Sequence, residues 1–243
     1  MKNLFKYAIA LTAILLIASC SSSREYSDAD HKITTSTLDV TSFKRIDVSS
    51  SIQVVYTQSK EYSAKVVMPK YVNEFFKYNN NGNTLELHLD RGWNFDIDDE
   101  NIVVYVSAPY ISQVSIAGAS TFNAKSINQL NKSLYIECAG ASSVTIDNSF
   151  VECLNLECAG ASVCNINVKT ADVNAVCAGA SEINLSGKAD RANLEAAGAS
   201  RIYATELKTK SGEVSAVGAS SISCNIDELC SKIAVGRSSV DNK

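Results

Sequence analysis

Three copies of the phrase C-A-G-A-S place Cys138, Cys158 and Cys177 at one fixed position of a repeat. A thiol can be a nucleophile, a soft metal ligand or half of a disulfide, and each use has requirements. A nucleophile needs a base nearby and some exposure. The chain has 2 histidines, His31 and His88, and neither lies in the repeat. A zinc site usually takes four ligands at clustered Cys or His spacings, which these phrases lack. A disulfide between neighbouring copies would need Cβ atoms closer than an in-register ladder sets them. The cysteine is expected to serve as a small buried hydrophobe, with a disulfide and a metal or catalytic use as the alternatives. The same position holds Ile116, Ala196, Ala216 and Ala234 in other copies. Cys164 and Cys224 align with Val, Ile and Leu, and Cys230 aligns with Leu134, Leu154, Val173 and Ala192. Six of the seven cysteines beyond Cys20 are therefore expected to point inward, with no catalytic residue, metal or cofactor among them.

Carboxylates offer a second chemistry. Glu137 and Glu157 share one outward position, and Glu195 follows two copies later. Polysaccharide enzymes of the parallel β-helix class build sites from acids on one face, and stacked acids also bind calcium. No Arg or Asp partners gather around these two, so a solvated ladder is the simpler expectation. The third candidate is the loop "DRGWNFDIDDEN", residues 90–101, with Trp93, Phe95 and five acids. An exposed aromatic beside acids can stack a sugar, but the spacing does not match a calcium loop. The plainer alternative is a hairpin loop that tucks Trp93 under the fold. Trp93, Phe95, Glu137 and Glu157 are the possible ligand contacts.

The elements that position these residues repeat. Gly118, Gly140, Gly160, Gly179, Gly198, Gly218 and a degenerate Gly236 recur at intervals of 18 to 22 residues. Two residues after each stands a serine: Ser120, Ser142, Ser162, Ser181, Ser200, Ser220 and Ser238. Apolar residues lie two and four before the glycine and four and six after it, with polar residues mostly between. This is period-two alternation on both sides of a bend. Each repeat predicts strand, tight bend, strand. One such coil cannot bury its own apolar side, but stacked coils can. The expected fold is all-β: a β-solenoid, parallel β-helix-like, with coils of roughly 20 residues. Glycine suits the bend because it has no Cβ, and serine hydroxyls bond to backbone at turns.

Residues 38–110 lack the phrase yet alternate too, as in Ile46, Val48, Ile52, Val54 and Tyr56. They predict irregular first coils or a cap over the open edge of the stack. "KYVNEFFKY", 70–78, is expected as a short helix, and "NNNGN", 79–83, as a turn. At the other end, Arg237, Asp241 and Lys243 carry charges that discourage edge pairing.

The first 20 residues are a separate message. Lys2 and Lys6 precede a short apolar run that ends Leu16-Ile17-Ala18-Ser19-Cys20. This resembles a bacterial lipobox, in which the leader, residues 1–19, is removed and Cys20 receives lipid. Residues 20–37 then form a polar tether, and 38–243 a single domain: an N-terminal β part, 38–110, and the coils, 111–243. Multiple acyl chains give stable anchoring, and an extracytoplasmic compartment permits disulfides. A formal net charge of -4 and no basic patch make nucleic acid an improbable partner.

Two stretches resemble a known family. One is F-x-x-I-D-V at Phe43, Ile46, Asp47 and Val48; the other is I-x-V-Y-V-x-A-P-x-I-x-x-V-x-I-A-G-A-S from Ile102 to Ser120. With the G-A-S coils they resemble the DUF2807 family, labelled putative auto-transporter adhesin, head GIN domain. The resemblance spans about residues 38–243. It implies a β-helix-like solenoid, often a lipoprotein of Bacteroidetes, and supplies no catalytic residues. The repeated cysteine is not part of that pattern. The expected function is a non-enzymatic, lipid-anchored envelope scaffold or adhesin, held at the outer membrane by its lipid, with a protein or glycan ligand. The alternative is a glycan-binding or polysaccharide-active envelope protein. Residues 20–24 favour neither the surface nor the periplasmic side. Cys20→Ala is expected to abolish incorporation of a labelled fatty acid and to release the protein from the membrane fraction. Equal labelling of the variant would disprove the anchor.

Overall fold

The computed structural model describes residues 32–90 and 102–243; Cys20, Trp93 and Phe95 lie outside them. The chain enters as β1 (Ile33–Leu38) and then builds a coil from β2 (Arg45–Val48) and β3 (Ile52–Gln58). Ile46, Val48, Ile52, Val54 and Tyr56 all point inward and are essentially unexposed. Between these strands Ser50 and Ser51 take positive φ, 71° and 61°. The chain continues through β4 (Ser63–Pro69), a short 3-10 turn (Lys70–Glu74), β5 (Phe76–Asn80), β6 (Thr84–Leu89) and β7 (Ile102–Ala108). The helix expected over 70–78 is therefore only that turn. Phe76, on an alternating run, pairs with Leu89 in a hairpin instead.

The first coils are stacked out of chain order. β6 and β7 lie parallel to the outer side of β2 and β3. The next coil, β8 (Gln113–Ile116) and β9 (Thr121–Ala124), lies on the other side of that same pair. The outer edge of β6 is covered by antiparallel β5, that of β7 by antiparallel β4, and β4 by β1. This antiparallel cap meets the need to close a sheet edge.

From there the coils follow chain order, through β10 (Ile127–Gln129), β11 (Leu134–Cys138), β12 (Ser143–Val151), β13 (Cys153–Cys158), β14 (Val163–Cys177), β15 (Glu182–Gly198), β16 (Arg201–Gly218), β17 (Ser221–Gly236) and β18 (Ser239–Asn242). The pairing from β8 onward is parallel, and the apolar positions of successive coils fall in register: Val144 on Cys164, Cys164 on Ile183, Ile183 on Ile202, Ile202 on Ile222. The molecule is a β-solenoid with a continuous apolar interior.

The corners decide the stacking. At Gly140 and Gly160 φ is 75° and 83°, and a Cβ would sit 2.7 Å from the carbonyl oxygen of the glycine one coil earlier. Both the conformation and the approach require glycine. The close approach lets Ala141 N–H donate to Gly118 O at 2.8 Å, and Ala161 N–H to Gly140 O at 2.7 Å. Serine completes the corner. Ser200 Oγ lies 2.9 Å from Ala197 O in its own coil and 2.8 Å from Cys177 O in the coil before. Ser162, Ser220 and Ser238 bridge the equivalent pairs of carbonyls. The six serines from Ser120 to Ser220 are buried.

A buried hydroxyl that holds two coils together is costly to remove. Ser200→Ala is expected to lower unfolding stability by about 1–2 kcal/mol in denaturant titration. Gly160→Ala should cost more, because strain and a clash are added to the same corner. Unchanged midpoints for both would show that the corner does not set stability.

Candidate binding faces

Among the described residues, three outward strips of the solenoid differ in chemistry. The first is acidic. Glu137 on β11 pairs with Glu157 on β13, and Glu195 follows after Val176. The column continues the other way through Ser115 to Asp47 and Glu86. Periodicity could not reveal these last two, because the out-of-order stacking of β6 and β2 carries no repeat signature. Glu137 is held by Ser115 Oγ at 2.7 Å and Gln113 Nε2 at 3.3 Å. Burial, followed by the adjacent Glu157 and Glu137 carboxylates, pushes the acidity of Tyr135 far below that of a free tyrosine. Glu137 is thus tied to neighbours on the wall.

Asp47 faces solvent at its outer edge but loses hydration between the rungs. That loss, followed by the charges of Glu86 and Glu137, raises its carboxyl above the ordinary value of 3.8; His88 opposes the shift. An acid raised on folding releases its proton more readily in the unfolded chain. Its contribution therefore turns unfavourable as pH climbs from the unfolded value through the folded one.

The second strip is neutral. Thr145, Asn165, Asn184 and Tyr203 stand in register on the opposite side of the glycine corner. Asn184 Nδ2 donates to Asn165 Oδ1 at 2.9 Å and to Glu182 Oε1 at 2.9 Å. Tyr203 is 41% exposed beside them. With Asn167, Ser186 and Glu206 they line a shallow groove of about 400 Å³.

The third strip lies at the far bend. Lys169, Lys188 and Lys208 are exposed and in register on successive coils. Near them Lys210 Nζ meets Asp190 at 2.6 Å, and Arg191 meets Asp172 through two contacts of 2.6 and 2.9 Å.

The cysteines are placed largely by the inward columns. Cys138, Cys158, Cys164, Cys177 and Cys224 are buried, and Cys153 is half-buried. Cys230 is exposed, not inward as its alignment predicts. The register shifts there: Gly212 pairs with Leu229 and Glu213 with Ser231, which leaves Cys230 as an extra, bulged residue. Three of the buried thiols also meet. The sulfurs of Cys138, Cys158 and Cys164 lie within 4.8 Å of one another. Cys138 is shifted down by thiol bonds from Cys158 and Cys164, whereas those two are shifted up by their bonds to Cys138 and by burial. The grouping was not legible in the repeat, because it joins two different columns across a corner.

A family model described as "Putative auto-transporter adhesin, head GIN domain" (DUF2807) matches residues 42–243. Several solved structures share the fold. A putative lipid binding protein from Parabacteroides distasonis is 15% identical, with a TM-score of 0.68 over 88% of this chain and 98% of that one. A putative adhesin from Bacteroides fragilis is 20% identical, TM-score 0.63, over 88% and 99%. A putative adhesin from Parabacteroides merdae is 16% identical, TM-score 0.66, over 88% and 98%. No curated protein matches the chain.

Asp47→Asn is expected to raise the melting temperature at neutral pH by relieving like charge. The gain should vanish below about pH 3, where Asp47 is protonated in both states. A neutral-pH loss in the variant would mean that the acids of this strip are satisfied as a set.

Proposed function

We propose, for a chain that belongs to the DUF2807 family, a non-enzymatic role as a lipid-anchored envelope scaffold that binds a surface polymer, protein or glycan, through one wall of its solenoid. One observation carries the reading: in-register stacking brings one outward position of each rung into line, about 4.8 Å apart, as in the column Thr145, Asn165, Asn184 and Tyr203. Repeated weak contacts at fixed spacing suit an extended partner, because each later contact is made at high effective concentration. A small substrate would instead favour a deep, closed pocket.

The neutral strip is the best binding wall. Its amides sit beside an exposed tyrosine, a side chain that gives large contact area at low entropic cost. On the acidic wall, Glu137 is already engaged by Ser115 and Gln113. The descriptions of the family and of its solved relatives, adhesin foremost, agree with a binding role. The lipobox at Cys20 supports anchoring in the outer membrane of a bacterial envelope.

Beads coated with the chain should be retained on intact cells and on extracellular matrix above beads coated with albumin. Replacing Asn165, Asn184 and Tyr203 together by Ala should lower retention at least tenfold with an unchanged melting temperature. The same treatment of Lys169, Lys188 and Lys208 should have little effect. Retention no better than albumin would remove the adhesive reading, and loss only in the lysine variant would move the site to the far bend.

A further inference from the structure

We infer that Cys158 and Cys164 form a disulfide that staples one corner of the solenoid from inside. Their sulfurs lie 2.8 Å apart, inside the van der Waals contact of two unbonded sulfur atoms. Cys158 stands two residues before Gly160 and Cys164 four after it, so they face each other across the inside of the bend. In the neighbouring coils the same two positions pair Cys138 with Val144 and Cys177 with Ile183. Both sulfur atoms belong to side chains at most 1% exposed.

The third thiol, Cys138, makes a metal site the competing use of this cluster. Electrostatics favours the disulfide. Three thiolates around a divalent ion leave a net negative charge, and the inward columns here are apolar. An uncompensated charge in such a place is very costly. A disulfide is neutral. Pairing of Cys138 with Cys158 is less suitable, because these two are directly in register on parallel strands. That arrangement holds Cβ atoms near the strand spacing of about 4.8 Å, beyond the usual disulfide range.

The chemistry balances through thiol–disulfide exchange. One thiol loses its proton and attacks the S–S bond of an oxidant of the disulfide class, releasing one oxidant thiolate. The second thiol then loses its proton, attacks the protein sulfur of that mixed disulfide and displaces the second oxidant thiolate. Two S–H bonds break, one protein S–S bond forms, and the two electrons and two protons end on the two oxidant thiols. Burial means that this happens before the coil closes. It also requires the extracytoplasmic placement proposed above, where such oxidants act.

The test uses the full chain from the native envelope and, separately, chain refolded with glutathione disulfide. Each is denatured without reductant, alkylated, and cut with trypsin and a Glu-specific protease. Cleavage after Glu137, Glu152, Glu157 and Lys169 puts Cys138, Cys153 and the Cys158–Cys164 pair on separate peptides. Peptide 158–169 should be unalkylated and gain two alkyl groups only after reduction. Reductant should lower the melting temperature of the wild type by a few degrees and leave a Cys158→Ala, Cys164→Val variant unmoved. A bond in the refolded chain alone supports the pairing and rejects the compartment. Free thiols at both positions in both preparations, a link to Cys138, or stoichiometric zinc or copper in the purified protein would overturn the inference.

Discussion

The corner where Gly, its following amide and Ser meet is the constraint on which the rest depends. A solenoid has little freedom in its walls, since parallel strands at fixed spacing pair wherever they are brought together. What must be specified is where the chain turns and how closely one turn sits on the next. A left-handed glycine with no room for a Cβ beside the previous glycine carbonyl sets both. The amide after it bonds that same carbonyl, as Ala180 N does to Gly160 O at 2.8 Å and Ala219 N to Gly198 O at 2.7 Å. The serine hydroxyl then reaches one carbonyl of its own coil and one of the coil before. These contacts lock the rung spacing at one line along the stack. The columns that flank the corner inherit their register from that line, and the register shifts lie farther along the coils.

Register is what turns a repeat into a surface. Because side chains alternate in and out along a strand, one slip would exchange the apolar interior for the polar walls. With the corner fixed, the interior accepts variation in size. Ile116, Cys138, Cys158, Cys177 and Ala196 succeed one another in a single buried column. The outer positions are free to specialise, and three strips of different chemistry arise on one backbone. The acidic strip is the strained one: Asp47 and Glu86 are directly opposite each other. Their neighbour Ser115 separates Asp47 from Glu137, which spaces part of the charge.

The repeat made the fold legible, since a period near 20 with alternating flanks has few physical solutions. It failed in three places for related reasons. The first coils obey alternation but not chain order, and alternation carries no information about which strand lies beside which. That hid Asp47 and Glu86 from the acidic column. Counting back from Gly236 put Cys230 in a buried column, but one bulged residue is invisible to spacing and moves it outward. The run 70–78 contains aromatic residues that suit either a helix or a strand, and tertiary pairing with β6 decided for the strand. The acids Glu137 and Glu157 were readable as neighbours, whereas the hydroxyl and amide that occupy Glu137 were not.

The same logic separates the cysteines. Column membership explains why Cys177 and Cys224 are buried singly as hydrophobes, because each faces an aliphatic residue across its corner. It does not explain Cys158 and Cys164. There both positions of one corner are cysteine, and apolar filling alone would be served equally by the Val or Ile that other coils use. A column is a property of stacking, but a pair across the bend is a property of one coil. Chemistry in a solenoid is therefore to be sought where two columns coincide in a single coil. A reading along any one column, however complete, does not reveal it.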